Sequence, residues 1–324
     1  MIQSLSTVSV ILTAFRRTDF LAVAIRSALD QTHAPLEVIV TDDSAQADIA
    51  NIVDRCGAPG VVRYRSNPSP LGAAGNVAAA LAECRGELVA VLNDDDFWAP
   101  TLLASLAAPL NRYPQASLAF CDHWLVDGAG AVDVAATSRF SARYRRSTLA
   151  EGLVVDAATV AVVRRSVPAA ICALFRREVI APGEIPAAVR GAYDFWLAAA
   201  AAAASRPFYY VAVRLASYRV HGSMESRRPS PSGSEGHRAA LAEIRRRGWF
   251  PELRGYLRRS WADVNCDCAL DRLAHGDGAA ARRLFVTSLG NRPSLRALWG
   301  LCLALAPGTG RRLLTRRRAV HAGP

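Results

Sequence analysis

Short apolar runs alternate with helical patterns over the first third of the chain. The runs Val8-Ser9-Val10-Ile11-Leu12, Glu37-Val38-Ile39-Val40, Val61-Val62-Arg63-Tyr64 and Leu88-Val89-Ala90-Val91-Leu92 read as strands, with helices near 20–29, 47–56 and 75–84 between them. That βαβαβαβ order predicts an α/β fold with a doubly wound, mostly parallel sheet. A further strand is expected at 117–121, before the turn Asp127-Gly128-Ala129-Gly130. The arginine-rich stretch 138–166 lacks a clear period and reads either as a lid or substrate loop or as disorder. The alanine run 198–204 continues a helix begun near Tyr193. Residues 226–236, rich in Ser, Pro and Gly, read as a linker, and only helical patterns follow, at 239–247, 253–273, 278–289 and 295–306.

Composition narrows the class. The 324 residues are 51% hydrophobic, enough for a sizeable core, and no apolar run reaches the roughly 18–20 residues of a membrane span. A net charge of +11 comes entirely from arginine, since the chain has no lysine. Such a surface suits phosphate-bearing substrates, anionic lipid or nucleic acid, and charge alone does not choose among them. No nucleic-acid-binding module is recognisable, so no nucleic-acid partner is expected. The seven cysteines are scattered, without a CxxC pair or a Cys/His ligand set; reduced thiols in a cytosol are expected, and a structural zinc site is not. The amino-terminal residues lack the pattern of a secretory signal.

The run Asn93-Asp94-Asp95-Asp96 directly follows the last of the four strands. Ligands bind at the carboxyl ends of strands in open α/β sheets, and clustered carboxylates there repel one another unless a cation lies between them. Oxygen ligands favour Mg²⁺ or Mn²⁺, which usually bridge one or two carboxylates to substrate phosphates. The alternative, Asp96 capping a helix from Pro100 to Leu110, accounts for one aspartate only. Asp42-Asp43 ends the second strand and suits a nucleoside's donors.

As a set these pieces resemble a family 2 glycosyltransferase of GT-A fold. The resemblance rests on 8–15, 27–32, 37–44, Leu71-Gly72 with Asn76, 86–100, Leu174-Phe175-Arg176-Arg177, Tyr193-Asp194-Phe195-Trp196-Leu197 and Tyr218-Arg219-Val220-His221-Gly222, and covers roughly 6–226. It implies a GT-A domain at 1–226 (donor side about 6–124, acceptor side about 125–226), a linker at 227–238 and a helical appendage at 239–324. It further implies an inverting, metal-dependent transfer from a UDP- or dTDP-sugar to a hydroxyl acceptor in polysaccharide, glycolipid or glycosylated-metabolite synthesis. The implied nucleotide-sugar contacts are Thr13, Phe15, Asp42, Asp43, Asn76, Asp94 and Arg219, with a DXD-like metal set of Asp95, Asp96 and His221, Mg²⁺ or Mn²⁺ as the ion, and Asp194 as general base.

The chain departs from the family pattern at Asn93, where an aspartate is common, at Gly75, where a cation often stands, and at Gly191-Ala192, where relatives carry an acidic pair. These departures keep a non-catalytic sugar- or lipid-binding relative as an alternative; a nucleotidyltransferase is less favoured, because the first strand leads into Thr13-Ala14-Phe15-Arg16-Arg17 without a glycine-rich phosphate loop. The apolar segment 295–306, followed by Arg311-Arg312 and Arg316-Arg317-Arg318, either lies on an anionic membrane or packs as a helix beside solvated arginines. The first reading gives a cytoplasmic protein with a peripheral contact at the inner face of the plasma membrane.

Overall fold

The computed structural model describes residues 6–44, 46–222 and 232–305. Two compact units divide the chain, Met1–Glu225 and Ser226–Pro324. The first holds one sheet of nine strands, β1 (Val8–Ala14), β2 (Glu37–Asp42), β3 (Val62–Ser66), β4 (Leu88–Asn93), β5 (Phe97–Trp98), β6 (Leu118–Val126), β7 (Gly152–Val154), β8 (Ala173–Arg176) and β9 (Phe208–Arg219). Its order is β3-β2-β1-β4-β8-β6-β9-β5, with β7 also paired to β9.

The strands β3, β2, β1 and β4 are mutually parallel, as the βα alternation requires. Every residue of β2 is buried, as are all but one of β1 and of β4, which is why these strands read as unbroken apolar runs rather than alternating ones. The helices α1 (Leu21–Leu29), α2 (Ala47–Arg55) and α3 (Gly72–Glu83) connect them. Beyond β4 the order departs from simple winding: β8 inserts antiparallel between β4 and β6, while β6 and β9 run parallel with register shifts around Asp122. Where β1 and β4 begin, a Cβ on Gly86 would lie 2.5 Å from the Ser9 amide nitrogen, so this close approach requires glycine. Glu37 is buried there too, and hydrogen bonds from Ser9 and Arg85 outweigh burial and hold its carboxyl below the usual range.

The helix after the acidic turn is α4 (Leu102–Arg112), with Thr101 rather than Asp96 at its N-cap position. The stretch 138–166 is more regular than its sequence suggests. It contains the end of α5 (Val134–Arg143), a short 3₁₀ turn, β7 and a π-helical turn at Thr159–Val163. The alanine-rich α6 (Tyr193–Ala203) is buried from Phe195 to Ala202, so its small side chains serve close packing.

In the second unit, α7 (Ser232–Arg246), α8 (Arg254–Ala274), α9 (Gly278–Asn291) and α10 (Leu295–Leu305) follow the helical patterns. The expected linker at 227–238 is corrected over 232–238, which begin α7; its earlier residues, and the arginines from Arg311 to Arg318, lie outside the described residues. This unit has its own core of Cys266, Ala269, Leu273, Ala281, Phe285, Ala297 and Ala304. No helix among the described residues is long and apolar enough to cross a membrane.

Candidate functional site

Parallel winding brings the carboxyl ends of β1, β2 and β4 to one edge of the sheet. Thr13 pairs with Asn93 in the ladder, so the loop after β1 and the acidic turn after β4 must meet. They meet through Arg17, whose guanidinium bonds Asp94 and reaches Asp95 Oδ2 at 2.7 Å. The Phe15 amide donates to Asp94 Oδ2 at 3.2 Å. From beyond β9, His221 brings Nε2 to 3.1 Å from Asp95 Oδ2 and sets its ring 5.1 Å from that of Phe20. Asp95 and His221 therefore come together as expected.

Asp96 does not join them. It is fully buried, and it accepts the Arg219 amide at 2.9 Å and the Asn93 side-chain amide at 3.4 Å. Among the described residues no three His, Cys, Asp or Glu side chains converge on a common point, and Asp95 with His221 is the pair offered for an ion at this edge.

Three adjacent carboxylates in a poorly hydrated turn cannot all ionise cheaply. Burial first, and Asp95 next to it, push Asp94 up to about 6 despite the opposing Arg17. Burial and Asp95 likewise hold Asp96 well above the usual carboxylate range. Among the described residues Arg17 is the guanidinium set across Asp94 and Asp95, and it marks where a cation is stabilised. Sequence reading missed it, because one arginine among many in a loop carries no periodic signal; the parallel pairing of β1 with β4 was the available clue.

Several expected contacts face inward instead. Asp43 accepts the Leu71 and Gly72 amides at 2.7 and 2.8 Å and the Asn67 side chain at 2.8 Å, which fixes the start of α3. Asp42 supports its own turn through Ser44, Gln46 and Tyr64. Asn76 is buried, with its amide committed to Thr41 and Asn67, so it shapes the wall without lining the cleft. Thr13 donates to Asn93 Oδ1 at 3.1 Å. Phe15 remains an accessible aromatic at this edge, 41% exposed, with Arg16 4.9 Å over its ring.

Arg219, expected as a contact of the departing group, is turned onto backbone here. It is 5% exposed, clamps the carbonyls of Asp95, Asp127 and Gly128, and lies 4.3 Å over the Phe20 ring. A guanidinium held by three carbonyls braces the acidic turn against the 127–128 turn. Asn93 also has a structural use, accepting Tyr193 Oη at 2.7 Å and so pinning the start of α6 beside the acidic turn.

Asp194 follows in the first turn of α6. Its carboxylate accepts the Phe195 amide at 2.6 Å, and Ala192, not Asp194, is the N-cap residue. The side chain is exposed to water, and the protein packed around it raises its pKa. A carboxylate with a raised pKa at an accessible position is suited to taking up a proton.

Within β6 lies another buried carboxylate, Asp122. Arg146 Nε donates to it at 2.6 Å, Ser141 bonds its other oxygen, and Arg214 lies at 3.4 Å. Burial opposes the charge, but Arg146 and the hydrogen bonds prevail and hold Asp122 below the usual range. Its neighbour His123 is buried and pushed down to about 3, by burial and then by Arg146. This cluster fastens the 134–166 segment to the sheet.

Comparison with known proteins speaks to the family and the fold. The profile described as Glycosyl transferase family 2 matches residues 9–179. The Escherichia coli UDP-Glc:alpha-D-GlcNAc-diphosphoundecaprenol beta-1,3-glucosyltransferase WfaP is 32% identical over 98 residues, 30% of this chain and 39% of that protein. The chain thus aligns with well under half the length of this relative. The Staphylococcus aureus protein TarS, in a structure with UDP-GlcNAc, superposes with a TM-score of 0.59 at 15% identity, over 97% of this chain and 92% of that one. The mannosyltransferase PcManGT of Pyrobaculum calidifontis, with GDP-Man and Mn²⁺, gives a TM-score of 0.55 at 17% identity, over 98% and 87%. At such identities the two structures speak for the fold.

Proposed function

This chain belongs to glycosyl transferase family 2, and from that premise we propose that it moves a sugar, with inversion, from a UDP- or dTDP-sugar to a hydroxyl acceptor. Its fold is of the GT-A type. The observation that carries the reading is the convergence of Arg17, Asp94, Asp95 and His221 at the carboxyl edge of β1 and β4, where Tyr193, the residue before the exposed Asp194, is bonded to Asn93.

The donor set fits a divalent ion. One carboxylate and one imidazole leave the remaining positions for diphosphate oxygens and water, the usual arrangement for Mg²⁺ or Mn²⁺. An ion bound there would neutralise charge on the departing diphosphate. The neighbouring guanidinium of Arg17 would shift from the two aspartates to the phosphates, and Asp94 would turn to a ribose hydroxyl. Phe15 supplies a face for the base, and the Asp43-braced loop forms the wall beside it.

In the transfer the acceptor oxygen bonds to the anomeric carbon as the bond from that carbon to the phosphate oxygen breaks. Asp194 takes the acceptor proton, and Tyr193, tied to Asn93, holds α6 in place for this. WfaP's name describes a saccharide linked through diphosphate to undecaprenol, and we take an envelope glycan or lipid-linked saccharide as the acceptor class here. Work at the cytoplasmic membrane face follows from that choice.

The test is release of UDP or dTDP from nucleotide sugars with Mn²⁺ and a lipid-linked saccharide. Asp194→Asn should lower kcat by about 10²–10⁴-fold with nucleotide affinity unchanged. Unchanged turnover in that variant would remove Asp194 from the mechanism, and no release from any donor would leave a binding protein.

A further inference from the structure

The second unit carries an apolar surface that its own core does not use. On α10, Leu295 is 86% exposed, Leu298 51%, Trp299 44% and Leu305 70%, and Cys302 is exposed beside them. At about 100° per residue these five positions share an arc of roughly 120°. The opposite face holds Ala297, Gly300 and Ala304, all buried. Gly300 lies so close to α9 that a Cβ there would sit 2.3 Å from the Phe285 ring, which fixes the rotation of α10 and turns the bulky side chains outward. Leu301 and Leu303 pack partly buried against the core at the flanks of these small residues, while the five positions of the outer arc are left to water, more apolar surface than packing alone requires.

Charge decides what covers this face. The helix contains no acidic residue, and the acidic side chains near it are already paired, Asp267 with Arg296 at 2.5 Å and Asp263 with Arg292 at 3.7 Å. Residues 306–324 then add Arg311, Arg312, Arg316, Arg317 and Arg318 and no acidic residue. That stretch offers little apolar bulk of its own beyond Leu313, Leu314 and Val320, too little to cover the stripe. An indole beside leucines, flanked by arginines, matches the interface of an anionic bilayer, where the ring and the aliphatic side chains enter the headgroup boundary and the guanidinium groups meet lipid phosphate.

We propose that α10 is a docking face for an anionic phospholipid surface, its apolar stripe entering the bilayer and the following arginines holding the charge. This deepens the reading of a lipid-linked acceptor but stands on separate residues, none of which belongs to the nucleotide site.

The test uses the full chain and sedimentation with vesicles containing phosphatidylglycerol or made of phosphatidylcholine alone. Binding is expected on the anionic vesicles, falling with added salt and at least about tenfold weaker on the neutral ones. Trp299→Ser combined with Leu298→Ser should weaken anionic binding about tenfold or more, with the circular dichroism and UDP affinity of the parent. Should that pair disturb the fold, Leu295→Ser with Leu305→Ser provides the same test at the helix ends. Vesicle binding unchanged in the serine variants, or absent in the parent, would overturn the proposal. So would a parent dimer in light scattering that the serine variants convert to monomer, which would assign the face to a second copy. UDP titration of the same samples reports separately on the family function.

Discussion

Two of the buried carboxylate clusters in the first unit differ in one respect. At Asp122 the carboxylate is fully compensated, by Arg146 above all and by Arg214 beside it, and the carboxyl is held below its ordinary range. At Asp94 to Asp96 the negative charges outnumber their partners, and Asp94 rises to about 6 even with Arg17 against it. Burial alone therefore does not mark a functional carboxylate. The mark is burial with incomplete compensation, because only there does an arriving cation find favourable work to do.

The contrast is broken most severely by removing the matched charge. Asp122→Ala should destabilise the first unit by about 3–5 kcal/mol in urea unfolding, since Arg146 would be left buried without its carboxylate. A loss below about 1 kcal/mol would mean that the cluster does not hold the 134–166 segment. pH separates the two clusters with opposite signs. Asp94's folded pKa is raised, so its contribution is complete below the unfolded value near 4 and is lost as pH rises towards about 6. In EDTA this should cost on the order of 2–3 kcal/mol across that interval. Asp94→Asn should flatten the slope. Asp122 is lowered, so its contribution is present above about pH 4 and disappears only as pH falls below it. Chemical unfolding at closely spaced pH values measures both.

Arg17 links the unmatched cluster to its expected ligand. Arg17→Ala should cost the metal-free protein roughly 1–2 kcal/mol yet tighten Mn²⁺ binding several-fold without nucleotide, because a competing cation is gone. Equal Mn²⁺ affinity in parent and variant, measured by electron paramagnetic resonance, would show that the guanidinium and the ion occupy different places. The smallest effect is expected at Asp96→Asn. With the native carboxyl held well above the usual range, an amide should change stability by no more than about 1 kcal/mol and leave Mn²⁺ affinity near that of the parent.

How legible these clusters were in the sequence follows from their range. The central strands β1, β2 and β4 could be read because strands buried on both faces are continuous apolar runs, and the acidic turn because three consecutive aspartates after such a run are rare in a purely structural role. β8 was recognised only as a piece of a family pattern, since four residues inserted antiparallel leave little period to detect. The Asp122–Arg146 pair spans 24 residues, and the cation that meets the acidic turn lies 77 residues before Asp94, so neither leaves a local signal. Arg219 was misplaced for a different reason. Its partners are backbone carbonyls of turns 91 to 124 residues earlier, which leave no signal in its own sequence, and only the structure shows it turned onto the carbonyls of Asp95 and Gly128.

The central claim is that the unmatched cluster is a cation-dependent site for a nucleotide diphosphate. Calorimetric titration of UDP and dTDP, each with and without Mn²⁺, into the parent and into Asp95→Ala tests it most directly. One of these nucleotides is expected to bind the parent only when Mn²⁺ is present and not to bind the variant. Binding of equal strength without the ion, or in Asp95→Ala, would contradict it.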